Sequence, residues 1–176
     1  MIRSLLVFSL AAVMPLALYA QPIFKSKVDP ADRAFLRNAA EINLSEVVLG
    51  QFALQKASAE PIKAFAQRMI TDHSNAQQKL KDVAAREDVV LPEIWDAKDI
   101  ALYARLAKLS GPDFERAYIN AMVEGHTQAV ALFRSEARSA ASPAVRTFAS
   151  DTLPMLEEHL KLAHQASVEI GATSRR

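Results

Sequence analysis

Three histidines fall where apolar residues belong. Ile62, Phe65, Ala66, Met69, Ala76 and Leu80 recur at helical spacing, and His73 lies on their stripe. Tyr118, Met122, Ala129 and Phe133 repeat the pattern around His126, shifted by 53 positions (126 − 73). His159 occupies the same kind of position among Val145, Phe148, Ala149, Thr152, Leu156, Ala163 and Ile170, and Glu46 interrupts the stripe of Phe35, Ala39, Ile42, Leu49 and Ala53. A buried ionised carboxylate is costly unless it is paired or hydrogen-bonded, so Glu46 requires a partner and the imidazoles are the candidates. One carboxylate with two or three imidazoles is either a hydrogen-bonded layer that fixes helix register or a first shell for a single zinc, iron or copper ion.

Each methionine beyond residue 20 stands four residues before one of these histidines: Met69, Met122 and Met155. Four residues is one helical turn, so thioether and imidazole share a face. That donor set suits copper(I), although methionine is also a common core filler. A carboxylate-bridged di-iron site needs Glu-x-x-His pairs. The residues three before the histidines are Ile70, Val123 and Leu156, and Asp72 lies at the edge of its face, so that pattern is missing. Nothing resembles a nucleophile–base pair, a phosphate-cradling loop or paired hydrolase carboxylates, so no catalytic residue is assigned.

The elements that position these groups are helices. Asp29-Pro30-Ala31-Asp32 is a helix start, with a capping acid and a proline in the first turn, and the first helix runs to about Ala57. Ser58 caps a second helix that begins near Pro61 and ends about Arg86. A link that short demands an antiparallel neighbour. Glu87 to Pro92 breaks the period, and Trp95, Ile100, Tyr103, Leu106 and Leu109 form a short crossover packed along the bundle. The third long helix spans about Asp113 to Ala140, and Ser142-Pro143 opens the fourth, which continues through Pro154 to about Ile170. The expected fold is all-α: an antiparallel four-helix bundle with a crossover helix between helices two and three. The four midpoints, near 45, 73, 126 and 157, bring Glu46, His73, His126 and His159 to one level. Gly50 and Gly125 stand at that level too, where glycine admits a ligand or lets two helices approach closely.

Composition sets the outer limits. Residues 1–20 carry Arg3, an apolar run from Leu5 to Leu18 and Ala20 before Gln21, the pattern of a cleaved export signal. The remaining 156 residues (176 − 20) suit one domain, with a flexible leader over 21–31, the bundle over 32–170 and a loose tail over 171–176. They hold 20 basic and 20 acidic residues, which gives no electrostatic reason to bind nucleic acid, and after signal cleavage no integral membrane segment remains. The absence of cysteine excludes disulfides, thiolate metal sites and cysteine catalysis.

With these residues in hand, the chain resembles the bacterial exported domain-of-unknown-function family 4142, grouped with ferritin-like bundles. The likeness rests on Phe35-x3-Ala39-Ala40, Glu46 with Leu49-Gly50, Phe65-Ala66-x2-Met69-x2-Asp72-His73, Phe114-x3-Tyr118, Met122-x3-His126 and Leu153-Pro154-x4-His159. It implies a ferritin-like helical fold and a periplasmic or envelope location, without an established activity or ligand set. The function expected is therefore a non-catalytic exported bundle binding one transition metal at the Glu/His layer, with an envelope or stress-related role. The alternative is a structural or protein-interaction module, of unspecified partner, in which the layer only fixes register.

Overall fold

Capping starts the chain's first helix where the sequence places it. Asp29 Oδ1 accepts a hydrogen bond from the Ala31 amide at 2.8 Å, and Pro30 fills the first turn, where its missing N–H costs nothing. A computed structural model describes residues 28–173; the expected signal, most of the leader and residues 174–176 lie outside that range. The described elements are α1 (Pro30–Lys56), α2 (Glu60–Arg86), α3 (Ala97–Ala107), α4 (Gly111–Ser139) and α5 (Pro143–Thr173). Two limits differ from expectation. Val28 is already buried in the core, so the ordered domain begins before residue 32, and α5, which continues through Pro154 as expected, runs past Ile170 to Thr173.

Two helix starts are capped in different ways. Ser142 Oγ accepts from the Ala144 and Val145 amides at 3.2 and 3.4 Å, as expected for α5. Ser58 does not cap α2. Instead Glu115, near the start of α4, accepts from the Ser58 and Ala59 amides at 2.7 and 2.8 Å. Asp32 in α1 does the corresponding work across the bundle, accepting from the Ala141 and Ser142 amides at 3.1 and 2.6 Å. Each hairpin turn is thus tied to the start of a helix in the other hairpin.

The four long helices form a square in which α1 packs on α2 and α4, and α5 packs on α2 and α4. Chain direction follows from which ends share a core. Phe35 and Leu36 near the start of α1 and Val145 and Phe148 near the start of α5 cluster with Leu80 and Ala84 near the end of α2 and with Phe133 and Ala140 near the end of α4. Every packed neighbour is therefore antiparallel, while α2 and α4 run parallel on a diagonal. That is why the crossover is long: α2 finishes at one end of the bundle and α4 must begin at the other. Within it Leu106 is fully buried, and Leu102, Tyr103 and Leu109 pack on the core. Ile100 departs from the expectation and is 56% exposed.

The core is split in two. One apolar cluster contains the rings of Phe35, Phe133 and Phe148, with centroids 4.9 to 6.2 Å apart. The other contains Leu49, Phe65, Met69, Phe114, Tyr118 and Met122. The histidines lie between them. Near that level Gly50 lets α1 and α2 close up: a Cβ there would sit 2.9 Å from Ile70 Cγ1 and 3.0 Å from the Ala66 carbonyl oxygen.

Candidate metal centre

His73, His126 and His159 come from α2, α4 and α5, and their side chains are essentially shut off from solvent, at 0%, 1% and 0% exposure. Their ring centroids lie 5.2 to 5.7 Å apart, so the three rings form one cluster. The 53-residue repeat has a simple basis here. It relates two parallel helices, so the same face turns inward on both.

The hydrogen bonds decide which nitrogen of each ring faces the others. His73 Nδ1 lies 2.9 Å from Asn43 Oδ1, His126 Nδ1 2.9 Å from the Met122 carbonyl oxygen, and His159 Nε2 2.9 Å from Asp72 Oδ2. All three partners are acceptors, so each of those nitrogens carries the proton and donates. The remaining nitrogens, His73 Nε2, His126 Nε2 and His159 Nδ1, are buried with no hydrogen-bond partner among the described residues. One ring nitrogen from each residue can be chosen so that all three lie within 4.8 Å of one another. Burial, reinforced by the neighbouring rings, holds His73 well below the usual imidazole range, and the same causes hold His126 down to about 4. For His159 burial also prevails, although Asp72 pulls the other way. At neutral pH the cluster is three uncharged imidazoles with unshared lone pairs.

That donor set fits a transition-metal ion. Each ring is oriented by an outer acceptor, the arrangement by which proteins set the tautomer of metal-bound histidines. Imidazole nitrogens about 2.0–2.1 Å from an ion stand about 3.3–3.5 Å from one another, so binding requires the rings to draw inward by up to about 1.5 Å.

Glu46 reaches the same level but does not join the three rings as a ligand group. Its Oε1 lies 3.8 Å from His126 Nδ1, the nitrogen already donating to Met122, so the carboxyl stands behind that ring. Nor does it form the expected pairing with the imidazoles. Burial, with the charge of Asp99 beside it, raises Glu46 to about 8, so at neutral pH it keeps its proton instead of forming an ion pair. Its Oε2 and the Tyr118 hydroxyl have no hydrogen-bond partner among the described residues. The methionines divide. Met69 and Met122 belong to the second apolar cluster, whereas half-buried Met155 packs against the first. The cause is direction: α5 runs opposite to α2 and α4, so four residues before a histidine leads toward the other end of the bundle.

Asn43 and Asp72 hold two of the rings, and neither stands out as a site residue in the sequence. Asn43 is buried on the α1 stripe one turn before Glu46, and its Nδ2 donates to Gln77 Oε1 at 3.1 Å, which turns Oδ1 toward His73. A polar residue on an apolar stripe was the available signal. Asp72 pairs with Arg68, and the hydrogen bonds from Arg68 and His159 outweigh the effect of burial to hold its carboxyl below the usual range. His164 is exposed, as its position off the stripe predicts.

No curated protein matches the sequence. Among solved structures, a DUF305 fragment from Deinococcus radiodurans superposes with a TM-score of 0.71 at 14% identity, over 81% of this chain and 98% of that one. CopM in its Cu(I)-bound form gives 0.62 at 20% identity, over 76% and 93%. The Cu(II)-bound form gives 0.63 at 17% identity, over 78% and 96%. At these identities the likeness establishes the helical-bundle fold. The sequence itself matches the family described as Domain of unknown function (DUF4142) over residues 20–166, and the chain belongs to that family.

Proposed function

We propose that this protein is an exported helical bundle that binds one transition-metal ion at His73, His126 and His159, copper being the first candidate, in a metal-handling role in the cell envelope. The observation that carries the reading is the set of three buried, uncharged imidazoles, each fixed by an outer acceptor and each keeping one unpaired nitrogen. A layer built only for register would pair its polar atoms with one another, because an unsatisfied buried group costs stability. Fold neighbours described in Cu(I)- and Cu(II)-bound forms support copper over zinc or iron. Export rests on residues 1–20, and no helix among the described residues is long and apolar enough to cross a membrane.

The centre is not a carboxylate-bridged di-iron site. Ile70, Val123 and Leu156 stand where bridging carboxylates would be needed, and Glu46 is turned behind His126. His73 Nε2, His126 Nε2 and His159 Nδ1 would hold the ion. Asn43, the Met122 carbonyl and Asp72 keep those lone pairs pointed inward, and the two apolar clusters flank them. Met69 and Met122, buried one turn from their histidines, add soft donors that favour copper(I) over harder ions.

Titration of the purified protein with copper(I), copper(II), zinc and iron(II) tests this. The expected result is one copper equivalent, with affinity falling more than about 100-fold in His126→Leu while the helical circular-dichroism signal is retained. Absence of binding by all four ions at micromolar concentration would leave the layer as a register device.

A further inference from the structure

A cleft of about 610 Å³ opens between α1, α3 and α4, and its wall reaches the histidine layer. Glu46, Met122 and Gly125 line it at that depth. Glu46 is only 6% exposed, yet its Oε2 lacks a hydrogen-bond partner among the described residues and its Oε1 lies 3.8 Å from the His126 ring. An unpaired buried oxygen beside an open cleft is an expensive group to keep for packing alone. It offers a cation a ligand atom whether or not the carboxyl holds a proton.

The rest of the wall has a matching charge. Besides the protonated Glu46, four acidic side chains, Glu41, Asp96, Asp99 and Glu124, stand against two basic ones, Lys98 and Arg105. Lys98 Nζ is directed to Gln128 Oε1 at 3.2 Å. A concave surface of one predominant sign between low-dielectric walls concentrates ions of the other. Gly125 keeps the inner end clear: a Cβ there would stand 3.7 Å from Glu46 Oε1, in the space between cleft and carboxyl.

The geometry points to this cleft as the loading route of the histidine centre for a transition-metal cation, with the acidic walls drawing the ion in and Glu46 receiving it before His126. The route rests on the metal-binding reading above and adds a direction of entry to it. The competing entrance is on the α2–α5 side, where the Asp72 side chain, 18% exposed, adjoins His159.

Rates separate a route from a ligand. Obstructing a route slows entry and exit together and leaves the equilibrium constant alone, whereas removing a ligand changes the equilibrium constant. The test is stopped-flow loading of the purified protein with copper(II), followed by quenching of Trp95, the only tryptophan. Ala101→Phe narrows the cleft from an exposed position. It should slow association and dissociation alike by about tenfold, with Kd within about twofold of wild type. Asp99→Asn combined with Glu124→Gln should slow association about threefold and weaken its salt dependence, and this second variant adds no bulk to the fold. Unchanged loading rates in both variants, with copper still bound, would overturn the route alone. Failure of the wild type to bind copper would overturn the centre and the route together.

Discussion

Asp72 Oδ2 accepts the Nε2–H of His159 at 2.9 Å, and the same oxygen is held by Arg68 from one turn earlier on α2. A partly exposed ion pair therefore fixes the tautomer of a fully buried ring, leaving the His159 Nδ1 lone pair turned away from Asp72 and unpaired. The sidedness of the centre depends on this arrangement, since a ring rotated by half a turn would lose the Asp72 hydrogen bond and present its Cδ2–H where the Nδ1 lone pair is needed.

Asp72→Ala is expected to weaken copper binding by about 10- to 100-fold while the helical content stays at the wild-type level, because outer partners of metal-bound histidines have effects of that size. Calorimetric titration measures the change. Equal affinities for wild type and variant would mean that His159 is not a ligand, or that its orientation is set by packing alone.

Stability of the metal-free protein should peak near pH 7, between the histidine and Glu46 titrations. The three rings resist protonation in the folded state, His126 down to about 4, whereas unfolded histidine titrates at about 6.5. As pH falls below about 6.5 the unfolded chain takes up protons that the folded one refuses, so stability declines. Glu46 acts in the opposite sense. Its folded value of about 8 lies above the ordinary 4.5, so its contribution is complete below the lower value and is lost as pH rises through the upper one. Between the two, three rings outweigh one carboxyl until the histidines have finished titrating, after which only the Glu46 loss remains. Urea midpoints across this range should show both limbs, and Glu46→Gln should flatten the alkaline one. A flat profile would contradict the burial of these groups.

Glu115→Ala should destabilise the fold by roughly 1–3 kcal/mol, because it strands the Ser58 and Ala59 amides at a part-buried turn. For a domain of this size that lowers Tm by about 2–4 °C per kcal/mol. Glu115→Gln, which keeps a carbonyl acceptor, should recover part of the loss. Thermal unfolding that places the alanine variant at the wild-type Tm would show that the turn does not need this acceptor.

The helices were legible because their signals are local. Proline in a first turn, a capping side chain and an apolar period can all be read within a few residues, and α1, α2, α4 and α5 begin and end within three residues of the expected limits. The level of the polar layer was legible for a related reason: with short hairpin turns and helices of 27 to 31 residues, midpoints must meet. Where an acceptor lies far along the chain, local reasoning misassigned the interaction. Ser58 carries a good capping side chain, yet Glu115, 57 residues away, is the group that bonds its amide.

Sequence alone determined that the molecule is all-α, that it relies on apolar burial without disulfides, and that three imidazoles and one carboxyl interrupt its buried stripes. Periodicity assigns a residue to a face of its own helix, and that assignment needs no knowledge of neighbours. Which atoms meet is set by helix direction, rotation and side-chain torsion, quantities that exist only once the four helices are packed. Tertiary structure therefore decided that His73, His126 and His159 turn unpaired nitrogens to the interior, that Asn43 and Asp72 orient two of them, and that Glu46 stands behind His126 on the wall of a cleft. It also divided the methionines, since reversing one helix reverses the meaning of the residue four positions before.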